Sequence, residues 1–253
     1  MDLRLNGSKV LVTGGTRGIG RAIVETFLGE GADVAFCARD ADEIAATEEA
    51  LGEGGAVVLG SIADVGDAEA LQGWVGEAAG RLGGVDIVVS NVSALAIPDT
   101  PENWEASLRV DLMGTVHLVQ AAMPYLEQSA APSIVTVSSV SGREVDFASG
   151  PYGTVKSAII AYTQGLAFQL AGRGIRANSV SPGNTYFPGG VWEQIEHGNP
   201  ALYAAALALN PTGRMGTPQE MAAAVIFLAS PVSSFTTGTN LVVDGALTRG
   251  VQF

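Results

Sequence analysis

Three things are scarce in this sequence, and each scarcity excludes a class of protein. A single cysteine, Cys37, rules out an internal disulfide or a cysteine-based metal cluster and fits a cytoplasmic location. Only 13 basic residues stand against 26 acidic ones. The resulting net charge of −13 argues against nucleic acid or an anionic membrane as a partner, because both are polyanions. The chain also lacks a run of about 18 apolar residues without charge, so no membrane span is expected.

The residues that are present suffice for one large α/β domain, since 47% of the 253 are hydrophobic. Continuously apolar runs predict seven strands, namely Lys9–Thr13, Asp33–Ala38, Ala56–Gly60, Asp86–Val89, Ser133–Ser138, Ala177–Val180 and Asn240–Val243. Segments with helical spacing separate them, namely Ile19–Gly29, Asp42–Leu51, Asp67–Leu82, Trp104–Glu127, Tyr152–Ala171 and Gln219–Ala229. This alternation predicts a doubly wound parallel sheet with helices on both faces, in a single domain over residues 1–253.

One stretch, at about 184–213, interrupts the alternation. It contains no predicted strand, although Val191–Leu209 has partly helical character, and it carries Tyr186, Phe187 and Trp192. A long excursion after the carboxyl end of a strand lies where an open α/β sheet binds ligands. We therefore expect this insertion to cover a substrate, with those three aromatic residues as candidate contacts. A surface flap without a role is the alternative.

A glycine-rich turn follows the first predicted strand and leads into the first helix. Its sequence is Thr13-Gly14-Gly15-Thr16-Arg17-Gly18-Ile19-Gly20. Such a turn lets the backbone approach a pyrophosphate, and the helix offers free N–H groups and the positive end of its dipole. The spacing differs from the common G-x-G-x-x-G, so its position in the first βα unit carries the prediction of a dinucleotide site. A tight turn without ligand is the alternative.

The end of the second strand indicates which dinucleotide is bound. A carboxylate there would bind the ribose hydroxyls of NAD, but the position is Ala38, and Arg39 follows it. A guanidinium pairs well with a 2′-phosphate, and Arg17 supplies a second positive charge. We therefore favour NADP over NAD, with the reservation that Asp40 could neutralise Arg39.

Tyr152 and Lys156 stand four residues apart at the start of a predicted helix, so they share one face. A nearby ammonium favours the phenolate form of a tyrosine, which makes the hydroxyl usable for proton transfer. Ser138 and Ser139 end the preceding strand, where a hydroxyl can hold a carbonyl oxygen as it gains negative charge. The three residue types together predict carbonyl or alcohol chemistry.

With these motifs the sequence strongly resembles the short-chain dehydrogenase/reductase family in its form of roughly 250 residues. The resemblance covers almost the whole chain and rests on Thr13-Gly14-x-x-x-Gly18-Ile19-Gly20, Asp64-Val65, Ser139, Tyr152-x-x-x-Lys156, Asn178, Pro182-Gly183, Pro211-x-Gly213-Arg214-x-Gly216-x-Pro218 and Gly238-x-x-x-x-Val243-Asp244-Gly245. It implies a Rossmann-type sheet of seven parallel strands and a homo-oligomer, a tetramer or a dimer.

The resemblance also implies roles. Tyr152 would exchange a proton with the substrate oxygen, Ser139 would hydrogen-bond that oxygen, and Lys156 would bind the nicotinamide ribose and favour the phenolate. Asp64 and Val65 would face the adenine. The expected cofactor-binding residues are Gly14, Thr16, Arg17, Gly18, Ile19, Gly20, Arg39, Asp64, Val65, Asn91, Tyr152, Lys156, Pro182 and Gly183.

Two positions depart from the family pattern. The family's Asn-Asn-Ala-Gly reads Ser90-Asn91-Val92-Ser93 here, so a side chain stands where glycine usually lets the cofactor pass. Asp111 replaces a usual asparagine, whose backbone carbonyl is thought to hold a water in a proton path. We include Asp111 among the catalytic candidates because a backbone carbonyl survives the change. Its carboxylate could instead pair with Lys156, or complete a buried hydrogen bond.

The function expected from these features is an NADP-dependent oxidoreductase that interconverts a ketone and a secondary alcohol by hydride transfer. The substrate is expected to be a small, largely apolar molecule, and no metal is expected. A 3-oxoacyl carrier-protein reductase is one alternative, for which Arg143 and Arg173 could form a docking patch. A non-catalytic NADP(H)-binding sensor or scaffold is another.

Overall fold

The computed structural model describes residues 2–251, apart from the side chain of Glu53, so the two ends of the predicted domain 1–253 lie outside the described residues. Within that range one sheet contains seven strands, namely β1 (Lys9–Thr13), β2 (Asp33–Ala38), β3 (Val58–Ile62), β4 (Ile87–Ser90), β5 (Ser133–Val137), β6 (Arg176–Pro182) and β7 (Asn240–Val243). Every neighbouring pair is parallel, in the order β3-β2-β1-β4-β5-β6-β7. The predicted doubly wound parallel sheet is thus confirmed, with β3 two residues later than expected.

Nine α-helices in the same range connect the strands or extend from the sheet. They are α1 (Gly18–Gly29), α2 (Ala41–Leu51), α3 (Ala68–Leu82), α4 (Pro101–Ala106), α5 (Gly114–Leu126), α6 (Pro151–Leu170), α7 (Val191–Gly198), α8 (Pro200–Leu209) and α9 (Pro218–Ala229). A π-helical segment, Ser107–Met113, joins α4 to α5 where the sequence predicted one helix over Trp104–Glu127. No helix among the described residues is both long and apolar enough to cross a membrane.

The sheet is buried on both faces, as its continuous hydrophobicity predicts. Leu11 packs on the face covered by α3, α5 and α6, while Val10 and Val12, its neighbours in β1, pack on the face covered by α1 and α9. Each face therefore has its own core. The two cores fix the sheet rigidly between helices, so the loops at its carboxyl edge are held in place.

The strand order reverses direction between β1 and β4. The chain leaves β1 toward β2 on one side, and after β3 it returns to β4 on the other side. The loops after β1 and β4 therefore separate and leave a crevice at the carboxyl edge, which is where ligands bind in sheets of this kind.

The insertion after β6 folds over this crevice. Thr185 forms a parallel bridge with Gly216, which closes the base of the insertion. The expected helical part consists of α7 and α8, separated at Asn199, whose side chain accepts a hydrogen bond from the Leu202 N–H and so begins α8. The two helices share a small apolar cluster of their own, centred on Trp192, Ala206 and Met215.

Candidate active site

One cleft of about 750 Å³ runs along the carboxyl edge of the sheet. It brings together residues that lie far apart in the sequence. The predicted site residues that line it are Gly14, Thr16, Arg17, Ile19, Gly20, Arg39, Asp64, Val65, Asn91, Ser139, Tyr152, Lys156, Pro182, Gly183, Phe187 and Trp192. Gly18, Asp111 and Tyr186 do not line it. Gly18 is covered by the ring of Phe187, Asp111 lies behind Lys156, and Tyr186 packs on the apolar cluster of the insertion.

The backbone of the glycine turn between β1 and α1 packs closely against the start of α1. Gly14 has φ of +73° and Gly18 of +55°, both in the region that disfavours side chains. A Cβ on Gly20 would lie 1.9 Å from the carbonyl oxygen of Gly14, so the turn packs directly on the helix. Asn91 holds it from below, because its Nδ2 donates to the carbonyl oxygens of Thr13 at 3.1 Å and Gly14 at 3.3 Å. Asn91 thus acts here as a support of the turn.

The insertion reaches across to this turn. A Cβ built on Gly18 would lie 2.5 to 2.9 Å from the ring atoms of Phe187. The ring therefore covers the first residue of α1, at the end of the helix that attracts anions. Phe187 also lines the cleft, so the insertion meets the glycine turn at this ring.

Two arginines line the end of the cleft that is expected to bind the adenosine, called the adenosine end below. Arg17 and Arg39 are exposed, and neither has an acidic side chain within 4 Å among residues 2–251. Asp40 does not neutralise Arg39, because its carboxylate accepts from the backbone N–H groups of Asp42 and Glu43 and so caps α2. This end of the cleft can therefore offer positive charge to a phosphate.

Cys37 is the second-to-last residue of β2 and lies below the adenosine end of the cleft. Its side chain is fully buried, and burial raises the pKa of the thiol to about 12. A thiol of that kind is not ionised near neutral pH, so Cys37 is a packing residue and not a nucleophile.

The other end of the cleft holds the serine, tyrosine and lysine. The Oγ of Ser139 accepts from the backbone N–H of Ser141 at 3.2 Å, which leaves its own hydrogen free to be donated into the cleft. Ser138 is turned the other way and donates to the carbonyl oxygen of Lys156 at 2.8 Å. Tyr152 lines the same cleft, and its hydroxyl has no hydrogen-bond partner within the described part of the chain. Ser139 therefore has a hydroxyl hydrogen available to the cleft, whereas that of Ser138 is used within the protein.

Lys156 is only 2% exposed and is held from two sides. Its Nζ donates to the carbonyl oxygen of Val137 at 3.2 Å and lies 3.3 Å from Oδ1 of Asp111. It also lies 5.6 Å from the centre of the Tyr152 ring. The ammonium group therefore contacts the tyrosine while it is balanced by a carboxylate behind it.

Asp111 occupies the π-helical segment and is 1% exposed. Its Oδ2 accepts from the backbone N–H of Ala94 at 2.8 Å, so it anchors the loop after β4. Its Oδ1 makes no aligned hydrogen bond, and the contact with Lys156 is an ion pair without hydrogen-bond geometry. Its backbone oxygen accepts from the hydroxyl of Thr115 at 2.7 Å. Of the alternatives left open by the sequence, the carboxylate pairs with Lys156 and completes a buried hydrogen bond.

Comparison with known proteins identifies the family of this nucleotide-binding fold. Residues 14–248 match the family model described as enoyl-(acyl carrier protein) reductase. Isoepoxydon dehydrogenase patN of Penicillium expansum is 42% identical over 257 residues, which cover 98% of each chain. The chain belongs to the short-chain dehydrogenase/reductase family. As a short-chain dehydrogenase/reductase it is an oxidoreductase of the alcohol–ketone class, and the predicted fold and reaction class are confirmed.

Other relatives of this short-chain dehydrogenase/reductase cover 96–99% of the chain. L-fucose dehydrogenase of Bos taurus is 36% identical over 258 residues, 99% of this chain and 93% of its own. The NADPH-bound structure of a short-chain oxidoreductase from Pseudomonas aeruginosa PAO1, described as containing an atypical catalytic center, is 34% identical with a TM-score of 0.89, over 97% of this chain and 99% of its own. A Burkholderia cenocepacia J2315 short-chain dehydrogenase in complex with NADP has 31% identity and the same TM-score, over 96% and 99%.

The aromatic residues of the insertion divide into two groups in this short-chain dehydrogenase/reductase. Trp192 and Phe187 line the cleft, and Trp192 packs edge-on against Phe147 with ring centres 5.8 Å apart. Tyr186, expected as a substrate contact, instead donates its hydroxyl to Glu196 at 2.6 Å, and this bond raises the pKa of Tyr186 to about 12. The preference of a phenol for a carboxylate partner turns Tyr186 away from the cleft.

Proposed function

We propose that this short-chain dehydrogenase/reductase uses NADP(H) to interconvert a small, largely apolar ketone and its secondary alcohol. The observation that carries the proposal is the placement of Tyr152, Lys156 and Ser139 in the cleft that also contains the glycine turn. The NADPH and NADP bound in the two related structures support the choice of cofactor. The free guanidinium groups of Arg17 and Arg39 support it independently, since they suit a 2′-phosphate.

The residues present fit a dinucleotide along the whole cleft. Gly14 and Gly18 give the turn its positive φ angles at the start of α1, where a pyrophosphate would lie beside the Phe187 ring. Asp64 and Val65 would hold the adenine, with Asp64 fixed by the backbone N–H of Gly66 at 2.9 Å. Pro182 and Gly183 would border the nicotinamide, and a Cβ on Gly183 would strike Asp244 at 2.7 Å, so only glycine fits this position. When bound, the cofactor supplies or accepts the hydride.

The protein itself supplies proton transfer and placement. In reduction, Tyr152 would give its hydroxyl proton to the carbonyl oxygen, while Ser139 would donate a hydrogen bond to that oxygen as its negative charge grows. Lys156 would stabilise the phenolate that remains, and Asp111 would fix Lys156 in place. The alcohol direction reverses these steps.

The substrate end of the cleft is mainly apolar. Its walls include Phe147, Phe187, Val191, Trp192 and Ile195. Apolar walls favour an apolar substrate, because its surface then leaves water on binding. Two of the relatives are named isoepoxydon dehydrogenase and L-fucose dehydrogenase, and these names support a free small molecule over a carrier-bound one.

We further propose that the enzyme is a cytoplasmic homo-oligomer. Large apolar side chains remain on the surface of the isolated chain, among them Phe168, 89% exposed, and Phe235, fully exposed. A second copy of the chain that covered these side chains would remove their apolar surface from water, which supports the proposal.

The test of the proposed function is consumption of NADPH over a panel of ketones. We expect turnover by the native enzyme and a loss of 100-fold or more in Tyr152→Phe, which lacks the proton donor. Tyr162→Phe is the matched control, since it removes a hydroxyl from the same helix without touching the cleft. Tight NADPH binding without turnover on a wide panel would refute the catalytic proposal. Equal apparent affinity for NADH and NADPH would refute the choice of cofactor.

A further inference from the structure

The adenosine end of the cleft carries a carboxylate as well as two arginines. Glu43, in the first turn of α2, lines the cleft together with Arg17 and Arg39. Its Oε2 accepts a hydrogen bond from Oγ1 of Thr16 at 2.7 Å. This bond connects α2 to the glycine turn, so it holds a negative charge close to the groups that would meet the ribose phosphate.

In the described part of the chain, the carboxylate of Glu43 neither caps α2 nor pairs with a basic side chain. The start of α2 is already capped by Asp40, whose side chain accepts from two backbone N–H groups. Within residues 2–251, no basic side chain lies within 4 Å of Glu43. Its side chain has one hydrogen bond there, the one donated by Thr16. Glu43 is therefore a fixed, unneutralised charge on the wall of the cleft.

The position of Glu43 bears on which dinucleotide the cleft binds. In sheets of this type a carboxylate after β2 accepts from the ribose 2′-hydroxyl of NAD, whereas a cation favours the 2′-phosphate of NADP. The strand itself ends in Ala38, which carries no charge. Glu43 brings a carboxylate to the same region from the adjoining helix, and it opposes the two arginines.

We propose that Glu43, held by Thr16, is a specificity-determining residue that limits the preference of the enzyme for NADP(H) over NAD(H). The inference rests on the proposed function. The carboxylate repels the 2′-phosphate, which carries about two negative charges at neutral pH, and it provides an acceptor for the 2′-hydroxyl of NAD(H). Arg17 and Arg39 act in the opposite direction, so NAD(H) remains a weaker second cofactor.

The test measures the dissociation constants of NADPH and NADH by protein fluorescence, beside kcat/KM for both. Glu43→Gln keeps the size of the side chain and removes its charge, and we expect the ratio of NADH to NADPH dissociation constants to rise about tenfold. The increase should shrink in 0.5 M salt, because screening weakens exposed charges. Glu49→Gln is the matched control, since it removes an exposed charge from the same helix outside the cleft.

A second arm tests the role of Thr16. In Thr16→Val the carboxylate loses its tether, so the effect of Glu43→Gln should be smaller in that background than in the native one, whereas Thr16→Ser should preserve it. An equal effect in both backgrounds would overturn the part of the proposal that concerns the tether.

The outcomes separate this inference from the proposed function. If Glu43→Gln shifts the ratio no more than Glu49→Gln, within twofold, while NADPH-dependent turnover persists, the role of Glu43 is wrong and the proposed function stands. If the native enzyme neither binds NADPH nor reduces a ketone, both are wrong.

Discussion

Among the single residues, the buried pair of Lys156 and Asp111 sets the electrostatic balance of the site. Both side chains are 2% exposed and their charged atoms lie 3.3 Å apart. A buried charge without a partner is costly, so each side chain offsets the buried charge of the other. The carboxylate also offsets part of the positive field that the ammonium exerts on Tyr152. The pair therefore holds Lys156 in place but weakens the electrostatic effect of its ammonium group on Tyr152.

The variant Asp111→Asn tests this balance. Asp111→Asn removes the carboxylate charge that faces Lys156 and keeps the size of the side chain. Since Nζ of Lys156 still donates to the carbonyl oxygen of Val137, we expect kcat/KM to change by less than 100-fold. The measurement is kcat/KM for both proteins with NADPH and the same ketone. A gain of 100-fold or more would show that the native carboxylate does more than balance the lysine.

The sequence predicts residues of this site best where the backbone alone sets their position. Gly14, Tyr152 and Lys156 come together because strand ends and helix starts meet at one edge of a parallel sheet. The direction in which a side chain points is harder to predict, because it depends on partners from other elements. Tyr186 turns to Glu196, and Glu43 turns to Thr16, through contacts that no spacing along the chain announces.

Among the elements, α9 shows how a helix start fixes the segment before it. Thr217 and Glu220 form a reciprocal capping box, with Pro218 in the first turn. Glu220 also receives two hydrogen bonds from Arg214, at 2.6 and 2.8 Å, so the end of the insertion is fastened to the helix. The Arg214 guanidinium and the backbone N–H of Thr217 lower the pKa of Glu220 from 4.5 to about 2.

This lowered pKa predicts how the stability of the enzyme depends on pH. Since the folded form holds the carboxylate ionised, the stabilisation is complete above pH 4.5 and is lost as the pH falls toward 2. Glu220→Gln should lower Tm at pH 7 by about 1–4 °C, which corresponds to about 0.5–1 kcal/mol for an exposed site. The difference from the native protein should shrink steadily when Tm is measured from pH 5 down to pH 3. Glu49→Gln should show neither effect, and a constant difference at all pH values would contradict the assignment.

The elements themselves were largely predictable, because hydrophobic periodicity records burial. The strands Lys9–Thr13, Asp33–Ala38 and Asn240–Val243 appear with the predicted bounds. The bounds of β3 shifted since Ser61 and Ile62 pair with β2 although neither is buried. The π-helical segment was not foreseen, because the apolar spacing over Trp104–Glu127 is that of one continuous helix. The segment carries Asp111, whose contacts with Lys156 and Ala94 lie far away in the sequence or in another element.

For the molecule as a whole, the net charge of −13 constrains which partners can approach. The two arginines expected as a docking patch for an acidic carrier protein differ in their surroundings. Arg173 is paired with Glu127, and Arg143 is exposed without an acidic partner within the described residues. A carrier protein rich in acids would therefore be repelled across most of the surface.

This charge predicts the response to a carrier-bound substrate. A 3-oxoacyl carrier protein should be reduced no faster, in kcat/KM, than a short neutral thioester with the same acyl group. Raising the ionic strength should increase kcat/KM for the carrier-bound form, because salt screens the repulsion, and leave the neutral thioester unchanged. Activity on the carrier-bound form far above that on the thioester would instead favour a 3-oxoacyl carrier-protein reductase.

Because the thiol of Cys37 is buried, a single introduced cysteine could be labelled selectively with a dye. With a pKa of about 12 and no exposed surface, it will not react with maleimides under ordinary labelling conditions. A cysteine introduced on α8, for instance at the exposed Leu209, would then be the sole attachment point for a dye. Energy transfer from the native tryptophans to that dye would report, in real time and in solution, whether the two insertion helices shift when nucleotide is added.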